Sequence, residues 1–339
     1  MQQIPAFWKT DLETIDALAQ SARNAQVERI AVSPGGRPVY AFAYGEKRVS
    51  PSVANYNSAC GARDRRFYDD PADKKHCVLL IGAVHGHETE GTAALVNLIT
   101  LLETGRDLCG IERPELVTAA AKIRLVIVPV ANADGRARVT PASMVGLDGK
   151  ALRHWGQGNW IDGSLCGWPG CKQRHPMKDA GFLGGYFNDD GINLMHDQFF
   201  HPMAQETQAL LDLAEAEHAD CILQLHGGSN SVNELLPPHY VTREAAEAVR
   251  ALAAACDAAA KPEGLSFGIP PIPEREQGET PASFNLCSAL HHVCGGVSAV
   301  FECNEAICDE PGVHMTHEEI YRSHLILFEQ CFLQFARKA

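Results

Sequence analysis

The chain has 339 residues, 45% of them hydrophobic, enough to bury a large core in one α/β domain or two smaller ones. A formal charge of −13, with no polybasic stretch, argues against nucleic acid or an anionic membrane as the main partner. No apolar run approaches the ~20 residues of a membrane span, and Met1-Gln2-Gln3-Ile4-Pro5 carries neither the basic nor the apolar part of a signal peptide.

In chain order, Thr10-Asp11-Leu12-Glu13 reads as a capping box, and Leu12, Ile15, Leu18 and Ala22 continue it as an amphipathic helix. Residues 27–32 and 39–44 are strand-like and flank Ser33-Pro34-Gly35-Gly36-Arg37-Pro38, a hairpin signal, so residues 10–45 form an N-terminal helix and hairpin. Residues 48–75 are polar and turn-rich, an excursion between strands. Cys77-Val78-Leu79-Leu80-Ile81 is continuously apolar and predicts a buried strand. Gly82 ends it, and His85-Gly86-His87-Glu88-Thr89-Glu90-Gly91 leads into a helix marked by Leu95, Leu98, Ile99 and Leu102, stopped at Gly105. Residues 123–130 form a second buried strand, followed by Asn132-Ala133-Asp134-Gly135.

From 140 to 190 the chain is rich in Gly, Trp and Pro with little periodicity, a long loop insertion near the site. Within it Cys166, Cys171 and His175 fit the loose end of zinc-ligand spacings, against a plain loop with two thiols. Residues 203–217 predict a helix, and 221–225 a third strand ending in His226-Gly227-Gly228. Residues 242–260 form an Ala-rich helix, 297–301 a fourth strand delivering Glu302, and 316–337 a closing helix with the capping box Thr316/Glu319. The fold class is α/β: residues 1–339 form a single domain with a mixed, mainly parallel, twisted sheet flanked by helices. The twelve scattered cysteines, some in apolar strands, suit buried thiols in a reducing cytoplasm better than a disulfide framework.

Four apolar strands thus end in functional residue types: His85/Glu88, Asn132/Asp134, His226 and Glu302. Strand ends in a parallel sheet lie side by side, at the edge where ligands bind. His85, Glu88 and His226 supply two imidazoles and a carboxylate, the donor set of a catalytic zinc ion, one per chain. Glu302 is then the general base, taking the proton of a water acidified by zinc and passing it to the leaving amine.

These residues carry a resemblance to the zinc carboxypeptidase family (carboxypeptidase A-like, funnelin metallopeptidases), over about residues 10–335. The family's His-x-x-Glu motif matches His85-Gly86-His87-Glu88, and its strand-end histidine matches Gln224-Leu225-His226-Gly227. Its Asn-Pro-Asp-Gly turn matches Asn132-Ala133-Asp134-Gly135, and its strand-end glutamate matches Ser298-Ala299-Val300-Phe301-Glu302. Gly36-Arg37-Pro38 echoes its N-terminal turn. The resemblance implies a zinc carboxypeptidase-like (phosphorylase/hydrolase-like) fold, a peptide or acylated amino-acid substrate, and Arg153 of Arg153-His154-Trp155 as the group that polarises the scissile carbonyl.

The sequence departs from the family on the substrate side. Gly191-Ile192-Asn193-Leu194-Met195-His196-Asp197 stands where the family has Gly-Val-Asp-Leu-Asn-Arg-Asn. Asn193 replaces the aspartate that orients the first histidine ligand, and an amide oxygen raises ligand basicity less. Met195-His196 replaces the Asn-Arg pair that clamps a C-terminal carboxylate, and one imidazole does not replace a bidentate guanidinium. The candidate substitutes are His196 when protonated and Arg136 or Arg138 from the neighbouring turn, with His87 a further substrate contact. Asp197 reads as a surface acid. His291 and His292 lie near the place of the family's gating tyrosine, against a structural histidine pair. The expected activity is a zinc metallocarboxypeptidase-type amide hydrolysis. Alternatives are an N-acyl amino acid deacylase resembling succinylglutamate desuccinylase and aspartoacylase, and a catalytically inactive metal- or peptide-binding protein.

Overall fold

Strands that are apolar on both faces have no side to turn to water, and here they occupy the middle of one sheet. The computed structural model describes residues 3–47, 76–167, 170–172, 175–229, 232–272 and 283–336; the expected excursion at 48–75 lies outside them. The strands are β1 (Gln26–Val32), β2 (Pro38–Tyr44), β3 (Cys77–Gly82), β4 (Arg124–Val128), β5 (Gly158–Trp160), β6 (Ala180–Leu183), β7 (Cys221–Gly228), β8 (Asn233–Leu236), β9 (Phe267–Gly268) and β10 (Val297–Asn304). Eight of them form one sheet in the order β1-β2-β4-β3-β7-β10-β8-β9, and β5 and β6 pair separately. The central neighbours β4, β3, β7 and β10 are parallel. Antiparallel pairs β1/β2, β2/β4 and β10/β8 flank them. Every residue of β3 and β4 is buried, whereas the edge strand β1 is largely exposed.

The helices are α1 (Leu12–Ser21), α2 (Glu90–Thr104), α3 (Pro114–Ala120), α4 (Ala133–Arg138), α5 (Gly149–Gln157), α6 (Gln205–Glu217), α7 (Arg243–Ala260), α8 (Leu286–Cys294) and α9 (His317–Ala336). On one face Leu98 of α2, Leu252 of α7 and Phe328 and Phe332 of α9 pack with Leu80, Leu223 and Phe301 of the sheet. On the other, Ile15 of α1, Leu210 of α6 and Leu290 of α8 pack with Leu79, Ile81 and Ile222. Each such side chain stabilises the fold by about 1.5–3 kcal/mol. Among the described residues no helix is long and apolar enough to cross a membrane.

Local physics shifts several expected boundaries. The cap of α1 is Asp11, whose carboxylate accepts the Thr14 N–H at 2.7 Å, while the Thr10 hydroxyl donates to the Ala142 carbonyl at 3.1 Å. The closing helix does carry its reciprocal box, with Thr316 N–H on Glu319 (2.8 Å) and Glu319 N–H on Thr316 Oγ1 (3.2 Å). The stretch 140–190 is not one long loop: it holds the amphipathic α5 and the short β5/β6 pair. β8 and β9, of four and two residues, are too short to show a periodic pattern.

Candidate metal centre

The turn after β3 is fixed from three sides. Gly82 and Ala83 carbonyls accept the Ala131 and Asn132 N–H groups, each at 2.9 Å, which stitches the ends of β3 and β4 together. Ala83 has a φ of 43°, a left-handed conformation that costs an L-residue roughly 1–2 kcal/mol. Gly86 donates its N–H to the Gly185 carbonyl at 2.7 Å, and a Cβ there would lie 2.1 Å from Arg136 N, so this position admits only glycine. The turn then delivers His85 and Glu88 to the edge where β7 ends.

His226 belongs to β7 itself, which runs on to Gly228. His85 Nδ1 lies 2.7 Å from Glu88 Oε1, and His226 Nδ1 lies 2.8 Å from Glu88 Oε2. All three side chains are buried, and one ligand atom from each falls within 4.8 Å of the others. No other such group of three occurs among the described residues. The second ring nitrogen of His85 donates to Asn193 Oδ1 at 3.2 Å, because an amide oxygen only accepts. Burial keeps His85 neutral by lowering its pKa against the pull of Glu88. Its Nδ1 lone pair therefore faces a carboxylate oxygen, an arrangement that a shared cation satisfies. Burial would raise Glu88, but the facing rings of His85 and His226, when protonated, hold it below the usual carboxylate range. Two imidazoles and a carboxylate fit a zinc ion of the three-ligand, catalytic kind.

Across β7 and β10 the residue opposite His226 is Glu302, half-buried, with Glu234 of β8 opposite it on the far side. A second carboxyl, Glu305, is buried, its Oε1 without a hydrogen-bond partner. Burial, with Glu90, Glu88 and Glu302 nearby, pushes Glu305 well above the usual range. Glu90, also buried, is raised to about 7 by burial and by Glu88.

The substrate-side expectations fare differently. His87 is 3% exposed, its Nε2 3.8 Å from Glu88 Oε1, and burial pushes its pKa down to about 4. It packs so closely on α5 that a Cβ at Gly156 would meet His87 Nε2 at 2.8 Å. Arg153, one turn earlier on α5, is exposed, with Nη1 3.8 Å from Glu310. Arg136 is buried and spends its guanidinium on the carbonyls of Gly86, Val139 and Pro141. Arg138 likewise donates to Leu183, Gly184 and Phe187 carbonyls and to Asp189. Through these bonds both arginines hold loops together. His196 is half-buried at the end of the turn Leu194–His196, while Met195 points into the core.

Asp197 is a correction, since it is buried and accepts the Gln198, Met203 and Ala204 N–H groups. Asp134 is bonded to Ser33, Gly35 and Arg37, a structural post rather than a site residue. His291 and His292 lie on α8 and bond the Gly296 and Tyr240 carbonyls, each at 2.7 Å. Cys166 and Cys171 pack with Met177 and Phe187 in a small apolar cluster, and His175 turns away to Asn193. They make no second metal group among the described residues.

Tyr186 is the main residue that sequence reasoning missed. Its ring centroid lies 4.1 Å from that of His85 and 5.0 Å from that of His87. Burial raises its phenol, as does the charge of Glu88. In Gly184-Gly185-Tyr186-Phe187 nothing but an aromatic after two glycines hints at this, because the contact crosses distant parts of the chain.

A parallel sheet whose carboxyl edge gathers this donor set defines a metal-dependent hydrolase. The match to a family model is more particular: the model described as zinc carboxypeptidase covers residues 12–264, and the chain belongs to that family. It is a zinc metallocarboxypeptidase-like hydrolase, with zinc as its metal. The fold is similar to that of a metallo-carboxypeptidase from Burkholderia cenocepacia, at TM-score 0.58 and 15% identity over 96% of this chain and 68% of that one. It is also similar to the carboxypeptidase A of Helicoverpa armigera, at TM-score 0.58 and 14% identity over 98% and 75%. A Pseudomonas aeruginosa metallo-carboxypeptidase, solved in complex with (2-guanidinoethylmercapto)succinic acid, matches at TM-score 0.55 and 14% identity over 97% and 68%. No curated protein matches the sequence. The family match includes His85, Glu88, Asn193 and His226 and ends before β10, so Glu302 stands outside it.

Proposed function

We propose that the protein is a zinc-dependent metallopeptidase that hydrolyses peptide amide bonds, with His85, Glu88 and His226 as metal ligands and Glu302 as general base. The observation that carries this is the register of β7 and β10, which sets Glu302 directly opposite His226. Neighbouring strands are about 4.8 Å apart, so Glu302 stands on the strand next to that of a proposed ligand. Zinc bound by the three ligands supplies Lewis acidity, polarising the scissile carbonyl and making a water easier to deprotonate. Glu302 takes the proton of the attacking water and returns it to the leaving amine. Half-exposed Glu302 suits this task, whereas Glu305 is buried away from solvent. Arg153 is loosely held by Glu310, and its guanidinium is the group we assign to the developing oxyanion. Most thiols among the described residues are buried in the core, which fits work in a reducing cytoplasm.

On the leaving side, Arg136 and Arg138 are committed to backbone carbonyls, which leaves His196 as the one expected carboxylate contact among them. Dependence on a free C-terminal carboxylate is therefore expected to be weak. The test is zinc-loaded protein and its Glu302→Gln variant, given peptides as free acids and as C-terminal amides and followed by mass spectrometry. Wild type should cleave both forms in a chelator-sensitive way, while E302Q binds the same zinc and loses at least ~10²-fold in rate. An E302Q variant as active as wild type would remove Glu302 as base. Cleavage of free acids alone would show a carboxylate clamp at work.

A further inference from the structure

We infer that His175 is a positioning residue of the metal centre, holding Asn193 so that its side chain orients His85; this rests on the reading of His85 as a ligand. His175 lies between β5 and β6, in the stretch expected to be a loop, and is half-buried. The Asn193 backbone N–H donates to His175 Nε2 at 2.6 Å. That nitrogen must be unprotonated to accept, and burial favours the neutral ring, against the opposing pull of Asp197. Asn193 is itself 2% exposed, and its Oδ1 is shared by the His85 Nε2–H at 3.2 Å and the Met195 N–H at 3.0 Å. Both lone pairs of the amide oxygen are thereby used. His175 fixes the backbone of Asn193, Asn193 fixes the ring of His85, and His85 presents Nδ1 to Glu88 at 2.7 Å. An uncharged amide polarises an imidazole less than a carboxylate would, so the support here has to come from geometry. His175 supplies it from a segment distant from the ligand turn.

The test uses the full chain and reads zinc affinity by competition with a chromophoric chelator, with the visible spectrum of the cobalt(II)-substituted protein as a second readout. In His175→Gln the amide oxygen stands at the same reach as Nε2, whereas in His175→Asn it is one bond too short. We expect H175Q to bind zinc within ~3-fold of wild type, and H175N to lose ~10-fold and shift the cobalt spectrum. In an Asn193→Ala background, where the link to His85 is already cut, H175N should add no further loss. Wild-type affinity in H175N, or an equal added loss in the N193A background, overturns the proposal. If H175N does not fold, a folded H175Q that has lost 10-fold or more in affinity overturns it too. His85→Ala separates the two readings: unchanged zinc binding there refutes the ligand assignment itself, whatever His175 does.

Discussion

His85 meets Glu88 through one ring nitrogen and Asn193 through the other, which fixes its tautomer and leaves the lone pair where a metal needs it. On the same face of β7 as His226, Gln224 is fully buried and neither polar atom of its amide has a hydrogen-bond partner. An unsatisfied buried amide costs about 1–3 kcal/mol. Replacing it with an apolar side chain of similar shape removes that cost without opening a cavity. Gln224→Met should therefore raise unfolding free energy by about 1–2 kcal/mol, measured by urea denaturation of the metal-free protein. A loss of stability would mean that the amide has a bound partner.

At the scale of elements, α4 is a hub for the N-terminal hairpin. Asn132 caps it by accepting the Gly135 N–H at 2.8 Å, and Asp134, its side chain wholly buried, accepts from Ser33, Gly35, Arg37 and Asp189. Burial would raise the Asp134 carboxyl, yet these donors hold it below its ordinary value. A depressed carboxylate stabilises the fold above its unfolded pKa of ~3.9 and loses that contribution as pH falls through the lower folded value. Asp134→Asn should cost about 2–4 kcal/mol at pH 7, because charge-assisted bonds are weakened and one donor is set against an amide N–H. The deficit should shrink as pH falls below ~4, where wild type is losing the same charge. Thermal melts of both proteins between pH 3 and pH 7 check this, and a deficit independent of pH would contradict it.

For the whole molecule, the proposed ligands come from the turn after β3 and from β7, strands already paired in register and buried on both sides. A metal held there would be bound by a framework that the core has built, unlike a small zinc module that folds around its ion. Removing zinc with a chelator should abolish hydrolysis and lower the melting temperature, while leaving the far-ultraviolet circular dichroism and a cooperative transition intact. With zinc at 100 times its Kd the loss is about 2.7 kcal/mol. Collapse of the circular dichroism on chelation would show that the core does not stand alone.

The sequence by itself determined the central strands, because continuous apolar runs such as 77–81 and 221–225 are tolerated only where both faces are covered. It also determined the polar types at their ends, including His85, Glu88 and His226, which the fold brings together. Residue type and neighbouring pattern are local properties, so a linear reading reaches them. It did not reach Tyr186 against His85, His175 behind Asn193, or the commitment of Arg136 and Arg138 to carbonyls. Nor did it distinguish buried Asp197 from a surface acid. Each of these depends on which distant segment a side chain meets. Short elements such as β8 and β9 carry too few residues to announce that through periodicity, so only the packed tertiary structure decides it.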